Sequence, residues 1–195
     1  MHLAFDIFQG IGVAAAVGIR PFLPALAVGA LAAGDVEIHF DHTDFSFLQS
    51  APFLLAMAVC AIALAVVERQ VPAERLERGP GGLILAVVSL ALGALFFAGS
   101  LCRGGYVTWP GYVGGVLCAL VGIAAVRPLL GRARARLGKD ASLLPVFAEA
   151  TALAIAVLSV VAPPVGPIAL ALLLWLLWAG RRREGQKYAG LRILR

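Results

Sequence analysis

The sequence predicts an all-α, polytopic membrane protein, and three observations lead to that class. Of its 195 residues, 61% are hydrophobic and 14% are charged, with a mean hydropathy of +0.93. The apolar residues fall in five long blocks, and the charged residues gather between them. A soluble domain is usually about half apolar and a quarter charged, so this chain has too little polar surface for a water-soluble globule. Blocks such as Leu83–Leu101 do not alternate polar and apolar residues, which excludes a membrane barrel.

We predict a single membrane domain over residues 1–195. The three middle blocks, 51–67, 83–101 and 106–126, suit single spans, because a crossing helix needs roughly 20 residues. Met1–Asp6 lacks the basic start of a signal peptide, so we expect the helices themselves to direct insertion.

The first and last blocks, 3–33 and 146–179, are too long for one straight crossing, and prolines interrupt both. The interruptions are Gly18–Pro24 in the first block and Ala162–Pro167 in the last. Proline removes a backbone donor and clashes with the preceding turn, whereas it fits the first turn of a new helix. We therefore predict two half-helices of about 14–16 residues in each block, short for a full crossing.

The charges between the blocks predict a topology. The loop Gly34–Ser50 holds four acidic residues and no Lys or Arg. Three segments are basic: the linker that contains Arg69, the linker Arg127–Lys139 and the tail Arg181–Arg195. The positive-inside rule puts these segments in the cytoplasm and the acidic loop outside. We therefore expect a multi-pass membrane protein with a cytoplasmic carboxyl terminus.

The same charges predict how the long blocks fold. Because the linker at 127–139 and the tail at 181–195 should share a side, the block 146–179 must enter and leave on that side, as a re-entrant hairpin. We expect the block 3–33 to form the opposite hairpin, which leaves three full spans between the two. Full crossings by the halves of these blocks remain the alternative.

The two long blocks also resemble each other. Pro21 and Pro24 match Pro164 and Pro167 at an offset of 164 − 21 = 143 residues, and the same offset relates an acidic residue near the start of each block. Opposite entry sides would make the two blocks an inverted repeat, a common plan in secondary transporters. Chance similarity between apolar segments is the alternative.

Three ionisable residues lie inside the apolar blocks: Asp6, Arg20 and Glu149. A charge at bilayer depth costs roughly 2.5–3.5 kcal/mol on insertion scales, so such residues usually face a cavity or pair with one another. Arg20 precedes the second half-helix, whose free N–H groups carry partial positive charge. The combination predicts a site for phosphate or carboxylate. The alternative is that Arg20 pairs with Asp6 or Glu149 and only holds the hairpin together.

We place the predicted substrate-binding site where the two hairpin tips should meet. Its residues are Arg20, Pro21, Pro24, Pro164 and Pro167. Asp6 and Glu149, near the starts of the hairpins, are candidates for proton or charge coupling, because partial desolvation would let them carry a proton. The alternative for both acids is a favourable interaction with the helix dipole at the membrane interface.

No other motif carries recognisable chemistry. The chain has no Ser/His/Asp set, no HExxH and no phosphate-binding loop, so we expect neither an enzyme nor a cofactor. The outer loop holds His39, Asp41, His42 and Asp44, but their spacing matches no established metal site. We expect that loop to be solvated and to bind no metal.

The stretch Gly18–Pro24, followed by Ala27–Gly29, resembles the signature of an uncharacterised bacterial integral-membrane family, and Lys187–Arg195 is similar to that family's carboxyl terminus. The likeness extends over most of the chain's layout. It implies a bacterial inner membrane as the location and implies no activity. The first stretch also faintly resembles the DedA superfamily, where an Arg-Pro-rich segment belongs to a re-entrant hairpin. Members of that superfamily are implicated in moving polyprenyl-phosphate or other lipids. Here Arg20 aligns with Pro163, so the second break has no arginine.

The sequence thus predicts a transporter-like membrane protein that handles a small anion or a phosphate-bearing lipid. The alternative is a non-transporting scaffold or assembly factor that recruits partners through Arg181–Arg195. A membrane enzyme that acts on lipid is the least favoured hypothesis, because no catalytic set is present. We expect membrane lipids as partners and no nucleic acid, since the positive charges flank apolar blocks. A homodimer would help three spans to enclose a cavity.

Overall fold

The computed structural model describes residues 3–71, 79–137 and 143–189, with side chains up to residue 182. These parts of the chain consist of helices and irregular connections and contain no strand. A short 3-10 turn, Ser46–Gln49, precedes the third helix. The seven α-helices of the described ranges are α1 (Leu3–Ile19), α2 (Phe22–Ala33), α3 (Ala51–Gln70), α4 (Pro80–Arg103), α5 (Trp109–Leu137), α6 (Leu144–Val161) and α7 (Val165–Ala189). The predicted all-α class is confirmed.

Five of these helices are long and apolar enough to cross a membrane. They are α3, α4, α5, α6 and α7. Each of the three middle blocks contains one continuous helix, although α5 begins at Trp109, three residues inside its block. Each helix extends past the end of its apolar block, as α3 does to Gln70 and α5 to Leu137. The extensions carry Arg, Leu, Glu and Gln, which are good helix formers whether or not they lie in lipid.

Both long blocks break at the predicted prolines. The first gives α1 and α2, of 17 and 12 residues. The predicted half-length of about 14–16 residues is wrong for the last block, because α6 has 18 residues and α7 has 25. Helix α7 continues past Ala179 to Ala189, mostly through Arg, Glu, Gln and Lys, which have high helix propensity. Both halves of the last block therefore have the length of a spanning helix.

Helix α1 is the central element of the bundle. It packs against α2, α4, α5, α6 and α7. Its residues Val13 to Val17 have no solvent exposure at all, on any side of the helix. A helix that is buried all round must be apolar or small all round, and α1 meets that condition with alanine, valine and glycine. Helix α1, the first half of the block 3–33, therefore forms the centre of the bundle.

Helices α1 and α6 run antiparallel, with the start of each beside the break of the other. Near the start of α1, the Gln9 Nε2 atom donates to the Val160 carbonyl oxygen over 3.3 Å. At the other end, Arg20 lies beside Glu149. A methyl group on Gly166, just past the second break, would lie 2.0 Å from the Phe8 carbonyl oxygen. The second break is therefore level with the first half of α1.

The helix ends define two ends of the bundle. Helices α3, α5 and α7 end, and α4 and α6 begin, at what we call the basic end; the opposite end, with the acidic loop, we call the acidic end. A methyl group on Gly180 in α7 would lie 3.1 Å from the Arg132 Nη2 atom in α5. The described parts of the linker after Val126 and of the tail thus lie together. Arg75, Arg78, Lys139 and residues 190–195 fall outside the described residues.

The acidic loop folds back onto the bundle. Ile38, Phe40, Phe45 and Leu48 are buried in the main core cluster, although we predicted a solvated loop. Apolar side chains in an irregular segment are buried where a neighbouring surface can accept them, and here the loop closes the acidic end between α2 and α4. The polar side chains of Asp41, His42 and Asp44 do remain exposed.

Candidate functional site

Arg20 lies in the break between α1 and α2 and is only 8% exposed. Its Nη1 atom donates to the Glu68 Oε1 atom, and its Nε atom lies 3.8 Å from the Glu149 Oε1 atom. A buried guanidinium is tolerated only when it is paired and hydrogen-bonded. Two carboxylates from different helices therefore hold this charge, and the geometry agrees with the alternative in which Arg20 pairs with Glu149.

Three helix ends place these groups together. The Arg20 backbone N–H still donates to the Ala16 carbonyl at 3.1 Å, so Arg20 completes the last turn of α1. Pro21 then stops that helix and starts α2. Glu68 lies in the last turn of α3, and Glu149 in the second turn of α6. Arg20, Glu68 and Glu149 meet because the chain breaks after α1 at the level where α3 ends and α6 begins.

A cavity of about 70 Å³ lies beside Arg20 at the basic end. That volume holds a few water molecules or one small anion. Its charged lining residues are Arg20, Glu68, Arg127 and Arg134. Arg127 is anchored, because its Nη2 atom donates to the Gly82 carbonyl at 2.9 Å. Among the described residues, the lining carries three positive charges and one negative charge, which favours an anion.

Glu149 does not line the cavity, but its carboxylate lies beside Arg20 and adds a second negative charge to the cluster. Its Oε2 atom is buried and has no hydrogen-bond partner among the residues that the structure describes, while its Oε1 atom faces Arg20 at 3.8 Å. A carboxylate with one unpartnered buried oxygen is poorly satisfied, so it can accept a proton or a donor that moves toward it. Of the two acids predicted to couple charge, Glu149 is the one that contacts Arg20.

Asp6 belongs to a second ion pair at the acidic end. Its Oδ1 atom accepts a bond from the Arg103 Nη2 atom at 2.6 Å, and its side chain is 1% exposed. The Arg103 Nη1 atom also donates to the Glu37 carbonyl at 2.7 Å. Asp6 lies 14 residues from Arg20, about 21 Å along the axis of α1. The structure does not bring Asp6 to the predicted site.

The two breaks do not meet, and the predicted location of the cavity between the hairpin tips is wrong. Pro21 lines the cavity beside Arg20, and Pro24 is buried in α2. Pro164 and Pro167 flank the second break, which packs against Phe8 and Gly12, about 12–18 Å from Arg20 along α1. Antiparallel packing of α1 on α6 is the reason, because it carries the breaks toward opposite ends.

Sequence reasoning missed four charged residues of these two clusters: Glu68, Arg103, Arg127 and Arg134. Each lies past the end of an apolar block, and the search for intramembrane charges covers only the blocks themselves. One signal was present for Arg103, since an arginine on the side predicted to lie outside goes against the positive-inside rule and therefore needs a partner. Glu68 follows Val67 directly, in a linker where three glutamates alternate with three arginines.

Comparison with protein-family models, with curated proteins and with solved structures gives no match. The two family resemblances of the Gly18–Pro24 stretch therefore stay predictions. Within the described ranges, no three His, Cys, Asp or Glu side chains are placed to hold a metal ion. In the acidic loop, the Gln49 Nε2 atom donates to the Asp41 Oδ1 atom at 2.5 Å.

Proposed function

We propose that this protein is a transporter-like membrane protein in which Arg20 binds the anionic group of a small anion or a phosphate-bearing lipid. The observation that carries the proposal is a buried guanidinium, shared by Glu68 and Glu149, beside a cavity that Arg127 and Arg134 also line. Guanidinium groups match the geometry of phosphate and carboxylate, and several of them around a cavity raise the local anion concentration.

In this proposal the two carboxylates act as internal anions that compete with the substrate. Glu149 holds Arg20 more loosely than Glu68 does, since 3.8 Å is beyond hydrogen-bond distance. Protonation of Glu149 would remove its attraction for the guanidinium and leave Arg20 free to turn toward an anion in the cavity. Coupling of anion binding to a proton follows from this competition.

The proposed setting is a bacterial inner membrane, with the basic end in the cytoplasm. The arginines of α5 and the described start of the tail lie together at that end, as the positive-inside rule requires of cytoplasmic segments. The antiparallel arrangement of α1 and α6, each beginning beside the break of the other, supports the proposed inverted repeat. The cavity would then open to the cytoplasmic side in this conformation.

The test is transport by the purified protein in vesicles of phosphatidylcholine and phosphatidylglycerol. Two probes are followed: uptake of radiolabelled inorganic phosphate, and movement of phosphatidylglycerol with an NBD-labelled chain, measured by dithionite quenching. Arg20→Gln should lower the transported signal at least tenfold. Glu149→Gln should retain transport and make its rate insensitive to pH, because the amide cannot exchange a proton with the solvent.

The chain offers a matched control for the loss of a buried ion pair. Arg103→Gln breaks the pair with Asp6 at the acidic end and leaves the cavity intact. It should destabilise the protein as much as Arg20→Gln and still support transport by the fraction that reconstitutes. Equal transport by wild type and Arg20→Gln would refute the anion-site proposal. The scaffold role would then be tested by partner recovery with and without residues 181–195.

A further inference from the structure

A second cavity, of about 250 Å³, separates α6 from α7 near the basic end. The two helices meet at their shared break, but α6 then follows α1 toward Arg20 while α7 follows α5 toward Arg132. The space between them is lined by Phe147, Thr151, Ile155, Ala169, Leu172 and Leu176, among other apolar side chains. We call this space the α6–α7 cleft.

The cleft is closed toward the core and open toward the outside of the bundle. Ala169 and Leu173 form part of its floor and are 8% and 4% exposed. Phe147 and Leu172 lie on its opposite walls and are 65% and 56% exposed. In a membrane, side chains on the outside of an apolar bundle face lipid, so the cleft opens sideways into the hydrocarbon layer.

The cleft adjoins the arginine cavity. Ile19, Val126 and Leu130 line both spaces, so one layer of side chains separates them. On one side of that layer lie Arg20, Arg127 and Arg134, and on the other side nearly every lining group is hydrocarbon. An apolar cavity stays dry and accepts apolar groups, whereas the arginine cavity favours an anion.

We propose that the anion handled at Arg20 is the head group of a membrane lipid, which enters sideways through the α6–α7 cleft. One chain of the lipid lies in the cleft, and its anionic head passes over Ile19 and Leu130 to the arginines. This inference rests on the proposed function and selects the lipid over the free anion. A free anion would have no interaction with the cleft, because it has no apolar part to bury there.

The size of the cleft is consistent with one chain segment. Drug-sized ligands occupy sites of about 300–1,000 Å³ that bury most of their surface. At about 250 Å³, the cleft accommodates part of one chain, while the remainder stays in the surrounding lipid. The chain can pass from the cleft into the surrounding lipid through the lateral opening between Phe147 and Leu172.

The experiment fills the cleft without touching the arginines. Thr151 lines the cleft and is exposed, so Thr151→Trp should fold while it occupies the path of the chain. The matched control is Ala154→Trp, an exposed position one turn later on α6 that does not line the cleft. A second pair on α7 is Leu172→Trp in the cleft and Leu174→Trp outside it. NBD-phosphatidylglycerol movement and phosphate uptake are measured for all four.

We expect both cleft variants to slow movement of NBD-phosphatidylglycerol at least fivefold and both controls to match wild type. NBD-phosphatidylcholine, whose head carries no net charge, should move at least tenfold more slowly than the anionic probe. Lipid movement that is unchanged in both cleft variants would overturn the inference. Phosphate uptake that depends on Arg20 but not on Thr151, without lipid movement, would overturn it and leave the proposed function standing. If Arg20→Gln changes neither signal, the proposed function fails instead.

Discussion

The Arg20 Nε atom lies 3.8 Å from the Glu149 Oε1 atom, although the two residues are 129 positions apart (149 − 20) in the chain. The contact joins the end of the central helix α1 to the beginning of α6. The same guanidinium donates a hydrogen bond to Glu68 at the end of α3. The Arg20 side chain thus connects the termini of α1, α3 and α6 at the basic end. Its removal should lower both the stability of the protein and its affinity for the anion.

Glu68 and Glu149 should couple to Arg20 with different strengths. We expect a double-mutant cycle of Arg20→Gln with Glu68→Gln to give an interaction energy of about 1–3 kcal/mol, because the groups are hydrogen-bonded and mostly buried. The cycle with Glu149→Gln should give less than about 1 kcal/mol, because its contact is longer and its side chain is 23% exposed. Denaturant titration of the detergent-solubilised variants measures the free energies of unfolding from which both interaction energies are calculated. Equal couplings would show that the guanidinium is shared evenly.

The ion pair at the acidic end should respond asymmetrically to mutation. Arg103→Gln leaves the Asp6 carboxylate buried without a positive partner and should destabilise the protein by about 3–5 kcal/mol. Asp6→Asn should cost less, about 1–3 kcal/mol, because Arg103 still donates to the Glu37 carbonyl. The melting temperatures of the two variants in the same detergent make the comparison. A larger loss for Asp6→Asn would mean that Arg103 has no second anchor.

The crossing of α1 with the second break should not tolerate a side chain. A methyl group on Gly12 would lie 2.0 Å from the Ser159 Oγ atom and 2.7 Å from the Gly166 Cα atom. Gly12→Ala should therefore destabilise the protein by about 1–3 kcal/mol through overpacking. Gly131→Ala is the matched control, since no atom lies within 4 Å of its added methyl group. That variant should be neutral or gain up to about 1 kcal/mol of helix propensity. Thermal unfolding of both variants tests the pair.

Cysteine labelling should place the two ends of the bundle on opposite membrane faces. In a background without Cys60, Cys102 and Cys118, a cysteine at exposed His42 should react with a membrane-impermeant maleimide from the outside of intact cells. Cysteines at Leu137 and Arg182, both exposed at the basic end, should react only after permeabilisation. Labelling of positions 137 and 182 on opposite faces would contradict the packing of α7 against α5.

The sequence was sufficient to predict the helices and insufficient to predict the charge cluster around Arg20. Block length and composition predicted seven helices and both breaks, because burial of backbone polar groups in lipid leaves few alternatives to a helix. The end of α7 is where this reasoning failed, since hydropathy locates the apolar block and not the helix that continues beyond it. Arg20 and Glu149 could be selected because a charge inside an apolar block is rare.

What the sequence by itself determined is the helical class, the position of the proline breaks and the sign of each segment's charge, since these depend on local composition and on backbone chemistry. Only the tertiary structure decided that α1 is the centre of the bundle and lies antiparallel to α6. That packing puts Glu68 rather than Asp6 on Arg20, and gives Asp6 to Arg103. The physical reason is that ion pairing depends on the level at which helices from distant parts of the chain end, and small-residue contacts such as Gly12 with Gly166 set that level.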